Sequence, residues 1–391
     1  MRCLYRGFDS LDVSFEACIR PELALALEAA KQRAQELRKP TTLSWKGIEL
    51  GVLESGARGG YAFVVSTGEL GAWWFLKRAQ RNDPWGIRAS CRSLALAVLG
   101  IRGVQSDLKR TIGLFAEPRS VGAVALGRAD YAFDFLAPDF ELAPRNFVMH
   151  SNAVRADRSE VLAEVGVVGC SGRITSVTIG KMPGRQVIVY DKRAEVLARN
   201  KVAWWRIWAS SKALESGEAL APSDPSASRI WRVEVRAGKT HLRERWQVRG
   251  WHDLDARWAE IMSAAISKVR HTTPSTDTNR SRWPDSLLWQ RVREEVSLYH
   301  SGTLCDVEAD AIRRLLKEER DAMLAKQMAG LLTSRAAIGG LTIEELPAFA
   351  LETGRQMAFD IGKARGRFEQ KLAEARRAHD VRFAGRNDPP T

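Results

Sequence analysis

The chain has 391 residues, enough for two domains of ordinary size, and 45% hydrophobic with 27% charged residues is typical of a soluble globular protein. This composition excludes a disordered or collagen-like chain. Apolar stretches such as residues 94–99 are much shorter than the roughly 18 residues that span a bilayer, and the first residues lead into no signal-peptide core. The sequence therefore predicts a cytoplasmic protein with no membrane partner. The five cysteines include no C-x-x-C pair, which argues against a disulfide framework and a structural zinc.

The charge is the first functional signal. The formal net charge is +13, of which residues 1–250 carry +12 and residues 251–391 carry +1. Residues 185–250 hold 14 basic and 7 acidic residues, interleaved with tryptophans. Cations among aromatic rings favour binding to nucleic acid, whose phosphates need charge and whose bases stack. The alternative is that the tryptophans belong to the core and the arginines are solvated surface.

The pattern of residues 1–250 predicts two similar α+β halves, 1–118 and 119–250. In the first half, alternation and turn signals predict strands at 8–15, 43–53, 61–67 and within 87–99, a helix at 21–38, and a short helix capped by Ser106. In the second half they predict strands at 121–135, 174–179, 186–191 and 230–235, with helices at 145–168, 192–214 and from 241 onward. Such an order predicts one extended antiparallel sheet, with helices on one face and the other face free for a ligand.

The remainder of the chain is predicted to be all-helical. We expect a helix and polar linker at 251–284, a helical domain at 285–380 and a disordered tail at 381–391. Asp285 and Asp306 are predicted N-caps, and Thr342 with Glu345 forms a predicted capping box. Apolar stripes on these helices indicate dimerisation or docking on a second protein. A helix-turn-helix reader of duplex DNA within 306–377 is the alternative.

Two familiar kinds of site are excluded. Gly238-Lys239-Thr240 imitates the end of a phosphate-binding loop, but Val233 stands where its first glycine is required. The six histidines form neither H-x-H nor H-E-x-x-H. A metal in this chain would therefore be held by oxygen.

Polar residues at strand positions are the remaining signal. A period of two places Asp130 and Asp134 on one strand face, and Glu234 on one face with two arginines, while Tyr190 ends a strand before Asp191 and Lys192. A tyrosine, carboxylates and cations could form a phosphoryl-transfer site in which Mg²⁺ or Mn²⁺ polarises the phosphate and the phenolate attacks. The alternatives are cross-strand ion pairs and a half-buried packing tyrosine.

Three short motifs carry a resemblance to a known family. They are RADYAFD at 128–134, YDK at 190–192 and RVEV at 232–235. In order and spacing they resemble the replication initiation factor family, the Rep_trans type of rolling-circle initiators with related conjugative relaxases, over roughly residues 8–250. The resemblance implies a duplicated α+β core related to the HUH endonucleases, with carboxylates in place of the histidine pair. The tryptophan-rich helix after Tyr190 and residues 251–391 depart from the family.

The resemblance also implies a chemistry and a set of site residues. Tyr190 would attack one DNA strand, leaving a 5′-phosphotyrosyl link and a free 3′-OH, with Lys192 neutralising charge near the scissile phosphate. Asp130 and Glu234 would hold Mg²⁺ or Mn²⁺, with Asp134 the next candidate. The residues predicted to contact DNA are Arg128, Arg185, Arg193, Arg232, Arg236, Trp204 and Trp205.

The predicted function is therefore a strand-specific DNA endonuclease and strand transferase that initiates rolling-circle replication. Alternatives are a relaxase with the same chemistry, a non-catalytic DNA-binding regulator on the same fold, and a single-strand binder without sequence choice. The expected partner is single-stranded or supercoiled origin DNA. A second copy of the chain and a host helicase are further expected partners.

Overall fold

A computed structural model describes residues 1–78, 83–149, 165–170, 172–215, 218–299 and 303–383. Its strands are β1 Arg2–Phe15, β2 Thr41–Trp45, β3 Ile48–Val52, β4 Phe63–Ser66, β5 Ala72–Leu76, β6 Ile87–Cys91, β7 Val124–Leu136, β8 Phe147–Met149, β9 Val165–Cys170, β10 Arg173–Gly180, β11 Arg185–Asp191, β12 Ile230–Gly238 and β13 Val269–His271. Its α-helices are α1 Pro21–Leu37, α2 Ser93–Phe115, α3 Lys192–Ala198, α4 Ala203–Ala209, α5 Pro225–Ser228, α6 Trp251–Lys268, α7 Leu287–Ser297, α8 Ala309–Ile338, α9 Leu346–Lys363 and α10 Arg365–Phe383. Every helix in the described ranges is too short or too polar to cross a lipid bilayer.

Eleven of the described strands form one antiparallel sheet in the order β2-β3-β4-β5-β6-β1-β7-β12-β11-β10-β9. The long strands β1 and β7 pair at its middle. Moving outward from β1, the sheet continues through β6, β5 and β4, and moving outward from β7 it continues through β12, β11 and β10. The predicted α+β class with a large antiparallel sheet is confirmed. The duplication related to HUH endonucleases stays a prediction.

Helices cover both faces of this sheet near its centre, so the prediction of helices on one face is wrong there. One face packs against α1, α6 and α7 around large buried residues such as Phe133, Trp258 and Trp289. On the other face, Trp204, Ile207 and Trp208 of α4 pack on strand residues including Leu4 and Ala132. The spacing of these three α4 residues puts them on one side of the helix, and burial of that side holds α4 on the sheet.

Several element boundaries in the first half differ from the predicted ones. The strand predicted at 43–53 is a hairpin, because Lys46 and Gly47 have φ of 45° and 82° and form a two-residue turn between β2 and β3. Strand β5, with the apolar sequence AWWFL, was not predicted. Helix α2 begins at Ser93 and continues past Ser106 to Phe115, so Ser106 is not a cap.

In the second half, the helix predicted at 192–214 is two short helices, since Asn200 adopts a positive φ between α3 and α4. The ends of the helix predicted at 145–168 are strands β8 and β9, and its middle lies outside the described residues.

The segment after residue 250 is joined closely to the sheet. His271 and Thr272 are buried, so the predicted linker is packed where it begins. Ser286, not Asp285, caps α7, and Asp285 pairs with Arg270 and Arg293. Helix α8 begins at Ala309, after Glu308, so Asp306 is not its cap.

Helices α8, α9 and α10 bury few side chains. Those that are buried are Ile312, Ala336, Val381 and Phe383. The predicted capping box is half formed, since the Thr342 backbone N–H donates to Glu345 at 2.8 Å. Helix α10 contacts strands β2 and β3. It extends to Phe383, which lies within the predicted disordered tail at 381–391.

Candidate functional site

The three strands that carry the motifs are direct neighbours at the middle of the sheet. Strand β12 pairs with β7 on one side and with β11 on the other. The register aligns Tyr190 with Arg232 and Arg232 with Asp134, which forms one row across the strands. A second row aligns Arg236 with Asp130. Because these residues alternate with core residues, both rows lie on the face opposite Phe133 and Val233.

The first row contains a fully buried ion pair. Arg232 Nε and Nη2 donate to Asp134 at 2.5 and 2.7 Å, and Trp208 Nε1 donates to Asp134 at 2.8 Å. Arg232 also pairs with Asp9. Burial opposes the charge of Arg232, but Asp134 and other partners hold its pKa well above the ordinary value. Burial likewise opposes the charge of Asp9, yet Arg232 and Lys192 lower the pKa of Asp9 to about 2.

This pair changes two of the predicted roles. Asp134 has 0% of its side chain exposed, and both its oxygens accept hydrogen bonds, so they are not free to hold a metal. The Arg232 side chain is also 0% exposed, so it cannot reach a DNA phosphate on the surface. Both are structural residues that fix β7 to β12.

The second row contains two carboxylates beside two arginines. Asp130 is buried and accepts from Arg128 Nε at 2.9 and 3.0 Å. Burial raises the pKa of Asp130 to about 7, and the nearby charge of Glu234 acts in the same direction. Glu234 Oε1 accepts from Arg236 Nε at 2.7 Å, whereas its Oε2 is buried with no hydrogen-bond partner among the described residues. The side chains of Arg128 and Arg236 are 32% and 29% exposed.

Tyr190 lies beside both rows at the end of β11. Its side chain is half-buried, and its hydroxyl makes no hydrogen bond to any described residue. Burial raises the pKa of Tyr190 well above its ordinary value, so the phenol keeps its proton at neutral pH. The Lys192 ammonium lies 5.7 Å from the Tyr190 ring centroid and pairs with Glu195 at 2.6 Å. Burial and the charge of Arg232 lower the pKa of Lys192.

The predicted aromatic DNA contacts belong to the packing of α4. Trp204 is 2% exposed and lies edge-on to Tyr5 with ring centroids 5.2 Å apart, so it cannot stack on a base. Trp205 is partly buried and packs edge-on against Trp208. Arg193 donates to Ser228 and to the Pro222 carbonyl. The alternative that assigned the tryptophans to the core is correct for Trp204.

A group of basic side chains lies at the start of β11, and of these the sequence singled out Arg185 alone. It consists of Arg185, His241, Arg245 and Lys268, and we call it the basic cluster. Arg185 Nη1 donates to the Ala264 carbonyl at 3.4 Å, which brings β11 to α6 one turn before Lys268. Burial first, then the neighbouring cations, lowers the pKa of Arg185, of Lys268 and of His241, the last to about 4.

The basic cluster keeps its positive charge unpaired. Among the described residues, Arg185, Arg245 and Lys268 form no ion pair, and His241 is neutral at pH 7. The helpful signal in the sequence was the density of basic residues at 239–249, but only the fold brings Arg185 and Lys268 to them.

The donor set does not fit a divalent cation as it stands. Within the described ranges, no group of three or more His, Cys, Asp or Glu side chains could hold a metal. Asp130 and Glu234 would have to exchange Arg128 and Arg236 for the ion, and the free donor is Glu234 Oε2. The metal site stays a prediction from the sequence.

Comparison with known proteins gives a structural likeness and no match of sequence family. No protein-family model and no curated protein matches the chain. The chain is similar to the structure of the rolling circle replication initiator protein from Geobacillus stearothermophilus, at 14% identity and a TM-score of 0.38. The match covers 74% of this chain and 96% of the other.

Proposed function

We propose that this protein is a DNA strand-specific endonuclease and strand transferase that initiates rolling-circle replication of a plasmid, phage or integrated element. The supporting observation is that the strands of the three motifs are adjacent and in register, with Tyr190 at the edge of a face that holds two carboxylates and their arginines. A half-buried tyrosine whose hydroxyl bonds to none of the described residues has the access that a nucleophile needs.

In the proposed reaction, the Tyr190 oxygen attacks the phosphorus of a phosphodiester. A new bond forms between that oxygen and phosphorus, and the bond from phosphorus to the 3′ oxygen breaks. The 3′ oxygen leaves and takes a proton, which gives a free 3′-OH and a 5′-phosphotyrosyl link. Reversal of these steps on a second 3′-OH joins strands.

The raised pKa of Tyr190 requires a group that accepts its proton. Glu234 is suited to this, since it lies on the adjacent strand, diagonally opposite Tyr190, and its Oε2 has no partner among the described residues. The Lys192 ammonium, whose side chain is 3% exposed, stabilises the phenolate from its position near the Tyr190 ring, and the more exposed Arg236 stabilises the phosphate during attack.

The basic cluster supplies a place for the DNA backbone. Arg245 contributes to lowering the pKa of Arg185, and Arg245 and Arg185 both contribute to lowering the pKa of Lys268, so the repulsion among these three cations is relieved when an anion binds between them. We assign the cluster, which lies on the α6 face of the sheet and not on the face of Tyr190, to duplex DNA outside the nick site, and Arg128 and Arg236 to the strand that is cut. A metal, a second copy of the chain and a host helicase stay predictions.

A non-catalytic DNA-binding regulator is the second candidate. The ion pairs of Asp130 with Arg128 and of Glu234 with Arg236 favour it, because paired carboxylates stabilise a sheet without any reaction. A relaxase would use the same chemistry as the first candidate and differs in the DNA on which it acts.

The test is a covalent adduct with DNA. We expect wild-type protein, incubated with Mn²⁺ and supercoiled plasmid carrying the DNA that neighbours its own gene, to give relaxed circles with protein on a 5′ end. Tyr190→Phe, which removes one hydroxyl, should lose the adduct and keep DNA binding. Tyr61→Phe is the matched control, because Tyr61 lies outside the site and should leave the adduct unchanged.

The outcomes separate the candidates. An adduct that persists in Tyr190→Phe after denaturation removes Tyr190 as the nucleophile. Binding of the plasmid by wild-type protein with no adduct in Mg²⁺ or Mn²⁺ favours the regulator.

A further inference from the structure

A cleft of about 370 Å³ lies beside the candidate site, outside the residues used so far for catalysis. Its walls come from residue 69, the start of α2, residues 199–204, one side of α8 and the end of α10. The volume falls in the range of roughly 300–1,000 Å³ that small-molecule sites occupy. Since α8 and α10 form one wall, the C-terminal helices complete a cavity that the sheet alone would not enclose.

The cleft is lined by more cations than anions. The cations are Arg92, Arg199, Lys201, Arg320 and Arg382, and the anions are Glu69 and Glu319. Arg92 and Arg382 share Glu69, at 3.0 and 3.6 Å. Arg199 and Lys201 pair with Glu195, which lies outside the lining.

Arg320 differs from the other four cations. It forms no ion pair with a described residue, its Nη1 lies 3.8 Å from Met323 Sδ, and its Nε is buried without a partner. A guanidinium without an ion-pair partner among the described residues can bind a phosphate with little competition from protein anions. Glu319, the neighbouring residue, is the carboxylate in the lining that opposes an anion at Arg320, and burial raises its pKa.

Apart from Ser93 and Asn200, the remaining lining is apolar. It includes Leu94, Val202, Leu316 and Met323. Cationic residues beside apolar ones fit a ligand that has a phosphate and a flat organic group. The phosphate would pair with the cations, and the flat group would pack on the apolar side chains.

The cleft is connected to the candidate site through a short chain of hydrogen bonds. Ser93 lines the cleft, and its hydroxyl donates to Asp9 at 2.7 Å. Asp9 pairs with Arg232, which is the register neighbour of Tyr190. A strand held at Tyr190 could therefore place a neighbouring nucleotide in the cleft.

We propose that this cleft binds one nucleotide unit, with its phosphate on Arg320 and its base on Leu316 and Met323. The choice of a nucleotide among phosphorylated molecules rests on the proposed function. The unit comes either from a DNA strand held at Tyr190 or from free nucleotide.

The experiment measures binding of two probes to the full chain by calorimetry. The probes are deoxythymidine 5′-monophosphate and a single-stranded decamer of deoxythymidine. Arg320→Gln should weaken binding about tenfold, the effect of losing one charge-assisted hydrogen-bonded contact. Glu319→Gln should strengthen it, because a repelling carboxylate is gone. Arg355→Gln, on the exposed surface of α9, removes the same charge away from the cleft and should change nothing.

Binding of the monophosphate that depends on Arg320 identifies free nucleotide as a ligand, and Arg320-dependent binding of the decamer alone identifies the strand. If neither probe binds, or if both bind Arg320→Gln as tightly as wild type while its thermal unfolding is unchanged, the cleft is not a nucleotide site. The adduct at Tyr190 is measured separately. Arg320-dependent binding without an adduct supports the cleft as a nucleotide site and contradicts the proposed function. An adduct together with Arg320-independent binding contradicts only the nucleotide site in the cleft.

Discussion

Asp134 and Asp130 lie two residues apart on one face of β7, yet the structure assigns them opposite effects on stability. Asparagine has nearly the same shape as aspartate, so Asp134→Asn and Asp130→Asn each remove a charge and little else. We expect Asp134→Asn to destabilise the protein strongly and Asp130→Asn to leave it as stable as wild type, or more stable, above pH 7.

The loss for Asp134→Asn follows from its contacts. Its carboxylate accepts two hydrogen bonds from Arg232 and one from Trp208, and neither member of the ion pair is exposed. The variant leaves a buried guanidinium with Asp9 as its remaining carboxylate partner. Breaking a buried pair on one side costs about 3–5 kcal/mol. With a urea m-value of about 3 kcal/mol/M, the unfolding midpoint should fall by roughly 1 M or more.

The effect of Asp130→Asn depends on pH. Burial raises the pKa of Asp130 from 3.8 to about 7, so the folded state binds a proton that the unfolded state releases. Proton binding by Asp130 therefore adds to the free energy of unfolding of the wild-type protein at low pH. This stabilisation is lost as the pH rises from about 4 to about 7, and the total loss is at most about 4 kcal/mol. Arg128 is 32% exposed, so water can solvate it when the Asp130 charge is gone. The free energy of unfolding of Asp130→Asn should therefore increase relative to that of wild type as the pH rises from about 4 to about 7.

The assay is urea unfolding followed by tryptophan fluorescence at pH 5 and pH 8. At pH 8 the expected order of midpoints is Asp130→Asn at or above wild type, then Asp134→Asn well below both. The reasoning fails if Asp134→Asn unfolds at the wild-type midpoint, since that would mean the Arg232 pair contributes little. The reasoning also fails if Asp130→Asn is destabilised at pH 8 as much as Asp134→Asn is. The wild-type Asp130 carboxylate would then be a stabilising partner of Arg128.

Three further predictions concern the segment after residue 250 and the basic cluster. Trp289→Ala should lower the free energy of unfolding by about 3–5 kcal/mol in the same urea assay, because Trp289 is fully buried and donates to the Ile266 carbonyl at 2.8 Å. For the same reason, we expect a chain that ends before α7 to fail to fold. A fragment 1–284 that folds and unfolds cooperatively would show that the packing of Trp289 is not required. Arg245→Gln should weaken binding to duplex DNA and reduce the slope of log affinity against log salt by about 1, with Arg355→Gln unchanged. An unchanged slope for Arg245→Gln would remove the basic cluster from the DNA interface.

Sequence reasoning located the candidate site because its signals are local. A period of two fixes which strand residues share a face, so the shared face of Asp130 and Asp134, and that of Arg232, Glu234 and Arg236, could be read without coordinates. The antiparallel sheet and most strand positions followed from the same alternation. The hairpin at Lys46 and the long α2 were missed, because turn geometry and helix length depend on packing that alternation does not record.

The tertiary structure decided which polar residues are available. In the sequence, Asp130 and Asp134 are alike, as are Arg232 and Arg236. In the fold, α4 covers one row and leaves the other at its edge, because the apolar side of Trp204, Ile207 and Trp208 is buried over Asp134. Burial makes Asp134 and Arg232 an ion pair that water cannot reach. Asp130 and Glu234 are buried as well, but their arginines are 32% and 29% exposed, and one Glu234 oxygen has no hydrogen-bond partner among the described residues. Composition gave the chain its excess of positive charge, but only long-range packing places Arg185, Arg245 and Lys268 together, since these residues are far apart along the chain and meet where β11, the turn after β12 and α6 converge.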